Sequence, residues 1–178
     1  IGTLNAARNP KSLWKVLGEM VRNDEAFREE MKIQLIGKVD FSVLEELEKN
    51  GLNGNLVKID YLSHSEAIKK QQSSQILLLL INNSQNAKGV LTGKFFEYLS
   101  SGRPVFAVGP SDGDVADVLH ETRSGRIADF DDEKTMKLIV QEYFEMYKKG
   151  NLAVDSHSIE KYSRRDLTRQ LADLLNHL

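Results

Sequence analysis

The residues best placed to do chemistry sit in one polar loop. Asn82-Asn83-Ser84-Gln85-Asn86-Ala87-Lys88-Gly89-Val90-Leu91-Thr92-Gly93 follows the most apolar run of the chain and leads into the helical pattern Lys94-Phe95-Phe96-Glu97-Tyr98-Leu99. Gly89 and Gly93 let the backbone approach a ligand closely. The start of the following helix offers unpaired N–H groups and a partial positive charge, which together suit a phosphate. Lys94 in the first turn opposes the helix dipole, and a bound anion would remove that conflict. Glu97 lies one turn further on the same face. A carboxylate accepts from two hydroxyls at once, so it suits a ribose diol. The same residues also fit a plain strand-to-helix connection that carries a surface Lys94–Glu97 pair of little worth.

Two further loops carry polar groups. In Gly2-Thr3-Leu4-Asn5-Ala6-Ala7-Arg8-Asn9-Pro10, Asn9 is suited to cap a helix that Pro10 starts. Arg8 stands just before that helix and is able to share an anion with its free N–H groups, although a solvated Arg explains it as well. In Asp60-Tyr61-Leu62-Ser63-His64-Ser65-Glu66, Tyr61 offers a ring for a base and Ser63 or His64 a hydrogen bond. The simpler reading makes Ser63 or Ser65 a helix cap, with Glu66 in the first turn. His64, His120, His157 and His177 have no metal-ligand spacing, so no metal site is predicted. Ser111-Asp112-Gly113-Asp114 reads as a turn and cap rather than a cation loop. There is no GxSxG, Walker A or GxGxxG pattern.

These loops need a frame that brings them together. Short aliphatic runs at Ile1–Leu4, Ile33–Ile36, Leu56–Ile59, Ile76–Leu80, Pro104–Val108 and Gly125–Ala128 read as strands covered on both faces. Amphipathic helical patterns lie between them: one from Pro10 through Val21, Ser42 to Asn50 before Gly51, one from Ser63 or Ser65 to Gln72, and Phe95 to Ser101 before Gly102. Asp112 to Glu121, Asp132 to Lys149 and Asp155 to Leu178 complete the series, with 148–153 as a linker. This alternation predicts an α/β fold: a Rossmann-like three-layer α/β/α arrangement around a mainly parallel sheet of about six strands. In such sheets ligands bind at the carboxyl ends of the strands, where all three loops fall.

Composition narrows the function classes. The 178 residues are 40% apolar and 28% charged, as in a folded globular chain. Lys and Arg number 24 against 26 Asp and Glu, for a net charge of −2, which removes the footprint of a general nucleic-acid binder. Cysteine is absent, so there is no disulfide framework and no thiolate chemistry. The longest aliphatic run, Ile76 to Ile81, is too short to cross a bilayer. The chain opens on Ile1-Gly2-Thr3-Leu4, which reads like the interior of a strand, so a domain of a longer protein is expected.

The segment from Lys88 to Val105, Lys-Gly-Val-Leu-Thr-Gly-Lys-Phe-Phe-Glu-Tyr-Leu-Ser-Ser-Gly-Arg-Pro-Val, closely resembles the donor-site segment of GT-B glycosyltransferases. The family-4 type of bacterial polysaccharide assembly is the nearest likeness. Its signature is a helix with an acid, then a small residue, Gly, a basic or small residue, Pro and Val. The opening strand, Arg8 before Asn9-Pro10, the Tyr61 loop and the final Tyr162-Ser163-Arg164-Arg165 helix fall in the order found in the C-terminal domain of that family. The resemblance implies that Glu97 binds the donor ribose and Arg8 the donor diphosphate. It places Gly89, Val90, Leu91, Thr92 and Gly93 in the loop whose backbone faces sugar and phosphates. It puts Tyr61 and His64 on the nucleobase side. Family members often have a second acid eight positions before the ribose acid, where Gly89 stands here. The first strand commonly ends in Gly-Arg, where this chain has Gly2-Thr3, leaving Lys94 or Lys88 to supply the missing charge.

The implied reaction moves a sugar from a nucleotide diphosphate to a saccharide or lipid-linked acceptor. Retention of configuration, no metal and no cofactor are expected. Arg8 and Lys94 would stabilise the charge that grows on the leaving β-phosphate. The resemblance implies one donor-binding domain over residues 1–178. Its terminal helix, residues 155–178, would pack back toward an N-terminal domain of the same protein. The protein would work in the cytoplasm, at the inner face of the membrane if the acceptor is lipid-linked. No nucleic acid is expected as a partner, and the isolated domain should bind nucleotide without turnover. A GT-B type sugar-nucleotide epimerase, a non-catalytic binding domain and a Rossmann-like oxidoreductase are the rival readings. Gly89 speaks against the first and the missing glycine fingerprint against the last.

Overall fold

A computed structural model describes residues 1–154 and 156–177. Strands alternate with helices along the chain. Helices α1 (Lys11–Asn23) and α2 (Glu25–Glu30) precede strand β1 (Ile33–Ile36). Then come α3 (Phe41–Lys49), β2 (Leu56–Ile59), α4 (His64–Ser73) and β3 (Leu77–Leu80). Helix α5 (Gly93–Ser100), β4 (Val105–Val108), α6 (Asp114–Thr122) and β5 (Gly125–Ala128) follow, and α7 (Glu133–Lys148) and α8 (Arg164–Asn176) end the series. All strand pairs are parallel. One sheet has the order β1-β2, and a second has the order β3-β4-β5.

The burial pattern of the strands explains the three layers. Along β4, Phe106 and Val108 enter one core with Leu13, Trp14, Val43, Leu47 and Met136. Val105 and Ala107 enter the other with Phe95, Tyr98, Val115 and Leu119. Successive side chains leave a strand on opposite faces, so helices α1, α3 and α7 cover one face and α5 and α6 the other. Aliphatic residues covered on both sides are what a buried parallel strand requires. At β5, Gly125 lies so near β4 that an added Cβ would stand 2.1 Å from the Val105 carbonyl oxygen. Any larger residue there would push the two strands apart.

Four expectations from the sequence need correction. The six expected strands are five among the described residues, because Ile1–Leu4 joins neither sheet. Its backbone meets only the outgoing end of β1, where Gly2 N–H donates to Ile36, Leu4 N–H to Lys38 and Asp40 N–H to Leu4, which makes one parallel bridge of Leu4 with Val39. Asn9 does not cap α1; its side chain accepts from Trp14 Nε1 (2.8 Å) and donates to the Ser42 carbonyl (3.3 Å), tying α1 to α3 instead. Helix α6 starts at Asp114 rather than Asp112: Gly113 is its extended N-cap, and the Asp112 carboxylate pairs with Lys88 outside the helix. The expected helix from Asp155 to Leu178 is broken. A 3-10 turn at Ile159–Tyr162 precedes α8, whose N-cap Ser163 accepts from Asp166 N–H and starts a new helix. The ends of that expected helix, Asp155 and Leu178, lie outside the described residues. Helix α2 was not anticipated; Asp24 caps it by accepting from Phe27 N–H, and Phe27 is its only buried residue.

Candidate functional site

Arg8 is the first residue that folding carries to an unexpected neighbour. It closes a 3-10 turn, Ala6–Arg8, in which the Asn5 side chain accepts from Arg8 N–H. Its guanidinium Nε donates to Asn82 Oδ1 at 2.6 Å. Asn82 stands just beyond the carboxyl end of β3, so two loops far apart in sequence share one site. The sequence places Asn82 in a candidate loop without a role of its own. Its position directly after the most apolar strand is the signal that could have singled it out.

Lys94 and Glu97 meet one turn apart on α5. Lys94 Nζ is 3.7 Å from Glu97 Oε2 and lies over the Tyr98 ring, 5.7 Å from its centroid. Lys94 also passes beside the Gly2 backbone: a Cβ built on Gly2 would lie 3.7 Å from Lys94 Cε. Arg8, Lys94 and the start of α5 thus converge on one corner, which concentrates positive charge there. Glu97 has a second partner, Gln71 on α4, whose Nε2 donates to Glu97 Oε2 at 3.3 Å. Gln71 is only 3% exposed, so its amide is fixed in place. Sequence reasoning missed it, since a glutamine on a polar helix carries no local mark. Tyr98 beneath this pair is buried, and burial, with the Glu97 charge adding to it, pushes its hydroxyl up to about 12. It therefore stays a neutral phenol.

The loop before α5 is anchored at one point and open around its glycines. Thr92 caps α5, its Oγ1 accepting from Phe95 N–H at 3.3 Å. Ala87–Gly89 is a 3-10 turn anchored by buried Ala87, and Val90 is extended behind it. A Cβ built on Gly89 or Gly93 would meet nothing within 4 Å. The protein's own packing does not require glycine at either position. Leu91 is exposed, and Lys88 turns away to pair with Asp112 at 2.5 Å, holding that carboxyl below its usual range. Lys88 is therefore engaged elsewhere, and the cations left to serve this corner are Arg8 and Lys94.

A cavity of about 750 Å³ joins these parts. Arg8, Asn82, Ser84, Thr92 and Lys94 line its polar end, where the strands finish. The remainder runs between β1 and β3. Val90 also lines it, whereas Gly89, Leu91, Gly93 and Glu97 stand outside its wall. Tyr61 and His64 stand beyond the carboxyl end of β2; both are exposed and neither reaches the cavity. Ser63 acts there as the helix cap in a reciprocal capping box with Glu66. Among the described residues, no three His, Asp or Glu side chains group as metal ligands, and no helix is long and apolar enough to cross a membrane.

The sequence matches no protein-family model and no curated protein. Solved structures do resemble it. One is WaaG, a glycosyltransferase involved in lipopolysaccharide biosynthesis, with 13% identity, a TM-score of 0.62, and cover of 84% of this chain and 39% of that one. Another is a mutant of TarM from S. aureus, solved in complex with fondaparinux, α-GlcNAc-glycerol and UDP. It shares 16% identity at a TM-score of 0.61, over 98% of this chain and 35% of that one. A UDP-N-acetylglucosamine 2-epimerase matches at 14% identity and a TM-score of 0.51, over 99% of this chain and 40% of that one. The chain thus spans well under half the length of each protein. At these identities the likeness is one of architecture, and the architecture is the Rossmann-like half of a GT-B glycosyltransferase fold.

Proposed function

We propose that this chain is the donor-binding domain of a glycosyltransferase that uses a nucleotide-diphosphate sugar. The observation that carries the reading is the contact of Arg8 with Asn82, which sets Arg8 and Lys94 around one cavity end beside the start of α5. Two cations and a helix N-terminus make a fitting receptor for a diphosphate. Glu97, oriented by Gln71, would accept from the ribose hydroxyls. Gly89, Val90, Leu91, Thr92 and Gly93 would present backbone to the sugar and phosphates; Gly89 and Gly93 have open space where a side chain would be. Tyr61 and His64 would lie toward the nucleobase.

In the reaction, the bond between the anomeric carbon and the β-phosphate oxygen breaks, the acceptor oxygen bonds that carbon, and the hydroxyl proton it loses passes to the departing phosphate. The departing nucleoside diphosphate keeps the bonding electrons. Arg8 and Lys94 would hold that charge in a fixed, partly desolvated setting, so their stabilisation grows toward the transition state. The acceptor, a saccharide or a lipid-linked one, would be bound by an N-terminal domain of the same protein, toward which α8 would pack. Retention of configuration, a role in polysaccharide synthesis at the cytoplasmic face, and lack of turnover by this domain alone belong to the same reading. The likeness to an epimerase supports a second reading, in which the same donor is isomerised instead of transferred.

Calorimetric titration of UDP, GDP and ADP tests the proposal. One diphosphate should bind, and Arg8→Ala and Glu97→Ala should each weaken it by about 1–3 kcal/mol. Full affinity in both variants would remove these residues from the site, and no binding by the folded chain or its full-length protein would overturn the donor reading. Incubating the full-length protein with the sugar nucleotide alone separates the two activities, since only an epimerase would convert it.

A further inference from the structure

Strand β2 is open along one side. Its partner β1 takes the other, and among the described residues no further strand joins that sheet. Alternation along a strand decides which backbone groups face outward. Gly37 N–H donates to the Ile59 carbonyl, so Ile59 and Val57 turn their backbone groups toward β1. Those of Lys58 and Asp60 point the other way, away from the sheet. Asp60, Tyr61 and Leu62 form neither turn nor helix before α4 begins. Among the described residues, no backbone carbonyl accepts from their N–H groups. Exposed edges are commonly blunted by a proline or a lone charge. Residues 56–62, Leu-Val-Lys-Ile-Asp-Tyr-Leu, hold no proline, and their charge is not alone. Lys58 and Asp60 share one face of the strand, with Lys58 Nζ 3.6 Å from Asp60 Oδ1. Val57 and Tyr61 share the other face and are 40% and 89% exposed, an apolar pair left in water.

We propose that this edge pairs antiparallel with the same edge of a second copy, about a two-fold axis at Ile59, and joins two sheets into one. Charge selects the register. An axis at Lys58 would set lysine on lysine, and one at Asp60 carboxylate on carboxylate, and like charges directly opposite destabilise a pairing. An axis at Val57 would leave Lys58 against Leu56 and Asp60 against Gly54. With the axis at Ile59, Lys58 faces Asp60 of the second copy, and Asp60 faces Lys58 of the second copy. The same axis sets Val57 against Tyr61, a β-branched residue against an aromatic, and Leu56 against Leu62. Lys58 and Asp60 are also the residues whose N–H and C=O point outward, so each such pair exchanges both backbone hydrogen bonds. The edge is thus complementary to itself, which is what a two-fold interface requires. A lone lysine would repel a second copy; Asp60 on the same face turns that repulsion into attraction. The inference does not rest on the donor reading. One face of the Tyr61 ring packs on Val57, and the other stays open to a base.

Sedimentation over a concentration series tests the pairing, with the fold of each variant checked by circular dichroism. The edge is short, so the chain should show a reversible monomer–dimer equilibrium with a Kd of about 10–100 μM. Lys58→Asp sets carboxylates against carboxylates, and Asp60→Lys sets ammonium groups against one another. Each should weaken association about tenfold or more. An equimolar mixture of the two variants restores opposite charges at every pair, and should associate about as strongly as the wild type. In the wild type, the Lys58 and Asp60 amides should exchange about fivefold more slowly once the protein is dimeric. A chain that stays monomeric up to about 1 mM would overturn the proposal. So would a dimer that both variants leave intact, or one that their mixture does not restore. The exchange measurement needs no variant, so it decides the matter even if a variant misfolds. Unchanged exchange at Lys58 and Asp60 while the protein dimerises would place the dimer on another surface and overturn the pairing.

Discussion

Glu97 is held by neighbours of two kinds, a cation on its own helix and an amide on the next. Lys94 at 3.7 Å is partly exposed, so it fixes the carboxylate weakly. Gln71 is buried and donates to the same oxygen, which leaves the other oxygen of Glu97 for a ligand. Leucine has nearly the volume of glutamine and no donor. On the donor reading, Gln71→Leu should weaken nucleoside diphosphate binding about fivefold, near 1 kcal/mol, while Tm stays within a few degrees. Undiminished binding would mean that Gln71 serves packing alone. Arg8, Lys94 and Glu97 were legible in the sequence because each adjoins a helix start or lies one turn into it. Gln71 was not, because only the packing of α4 on α5 turns one polar residue among several inward.

Elements were more legible where they carry their own end signals. β5 was predicted with its observed limits, and Gly51 and Gly102 mark the ends of α3 and α5, with φ of +73° and +69°. The terminal segment misled because its amphipathic period runs on across Ser163, although Ser163 with Asp166 three residues later is itself a capping pattern. Ile1–Leu4 misled for another reason. Strand-like composition does not set how far pairing extends: Gly2 and Leu4 bond only Ile36, Lys38 and Asp40, at the outgoing end of β1. At α4 the capping box makes a direct prediction. Ser63 Oγ accepts from Glu66 N–H, while Glu66 Oε2 accepts from the Ser63 N–H and hydroxyl at 2.9 and 2.6 Å. Ser63→Ala should lower Tm by about 2–4 °C at neutral pH. The Ser63 hydrogen bonds hold the Glu66 carboxyl below its ordinary value, so its contribution is full above the unfolded value near 4.5 and is lost as pH falls through the lower folded one. The gap in Tm between wild type and Ser63→Ala should therefore narrow in acid. A gap unchanged from about pH 7 to about pH 3 would deny the carboxylate any part in the cap.

At the scale of the molecule, β4 is the strand whose fully buried side chains divide between both cores. The three layers could be read from apolar strands alternating with amphipathic helices, but which strand carries the load depends on pairing, and pairing is not local. β4 lies between β3 and β5 and is buried along its whole length. Phe106 belongs to the core that holds Trp14, and its neighbours Val105 and Ala107 belong to the other. Unfolding one core therefore strips one face of β4 and loosens the other. Trp14, the only tryptophan and fully buried, reports the first core alone, while far-UV circular dichroism reports helices on both faces. In guanidinium the two signals should fall together in a single transition. Phe106→Ala leaves a cavity on the Trp14 side and should cost about 3–5 kcal/mol. Both signals should nevertheless shift to the same lower midpoint, because a strand common to both cores cannot leave one without leaving the other. If the Trp14 signal moved and the circular dichroism midpoint stayed, the two faces would be separate cooperative units, and α1, α3 and α7 could unfold while α5 and α6 remained on the sheet.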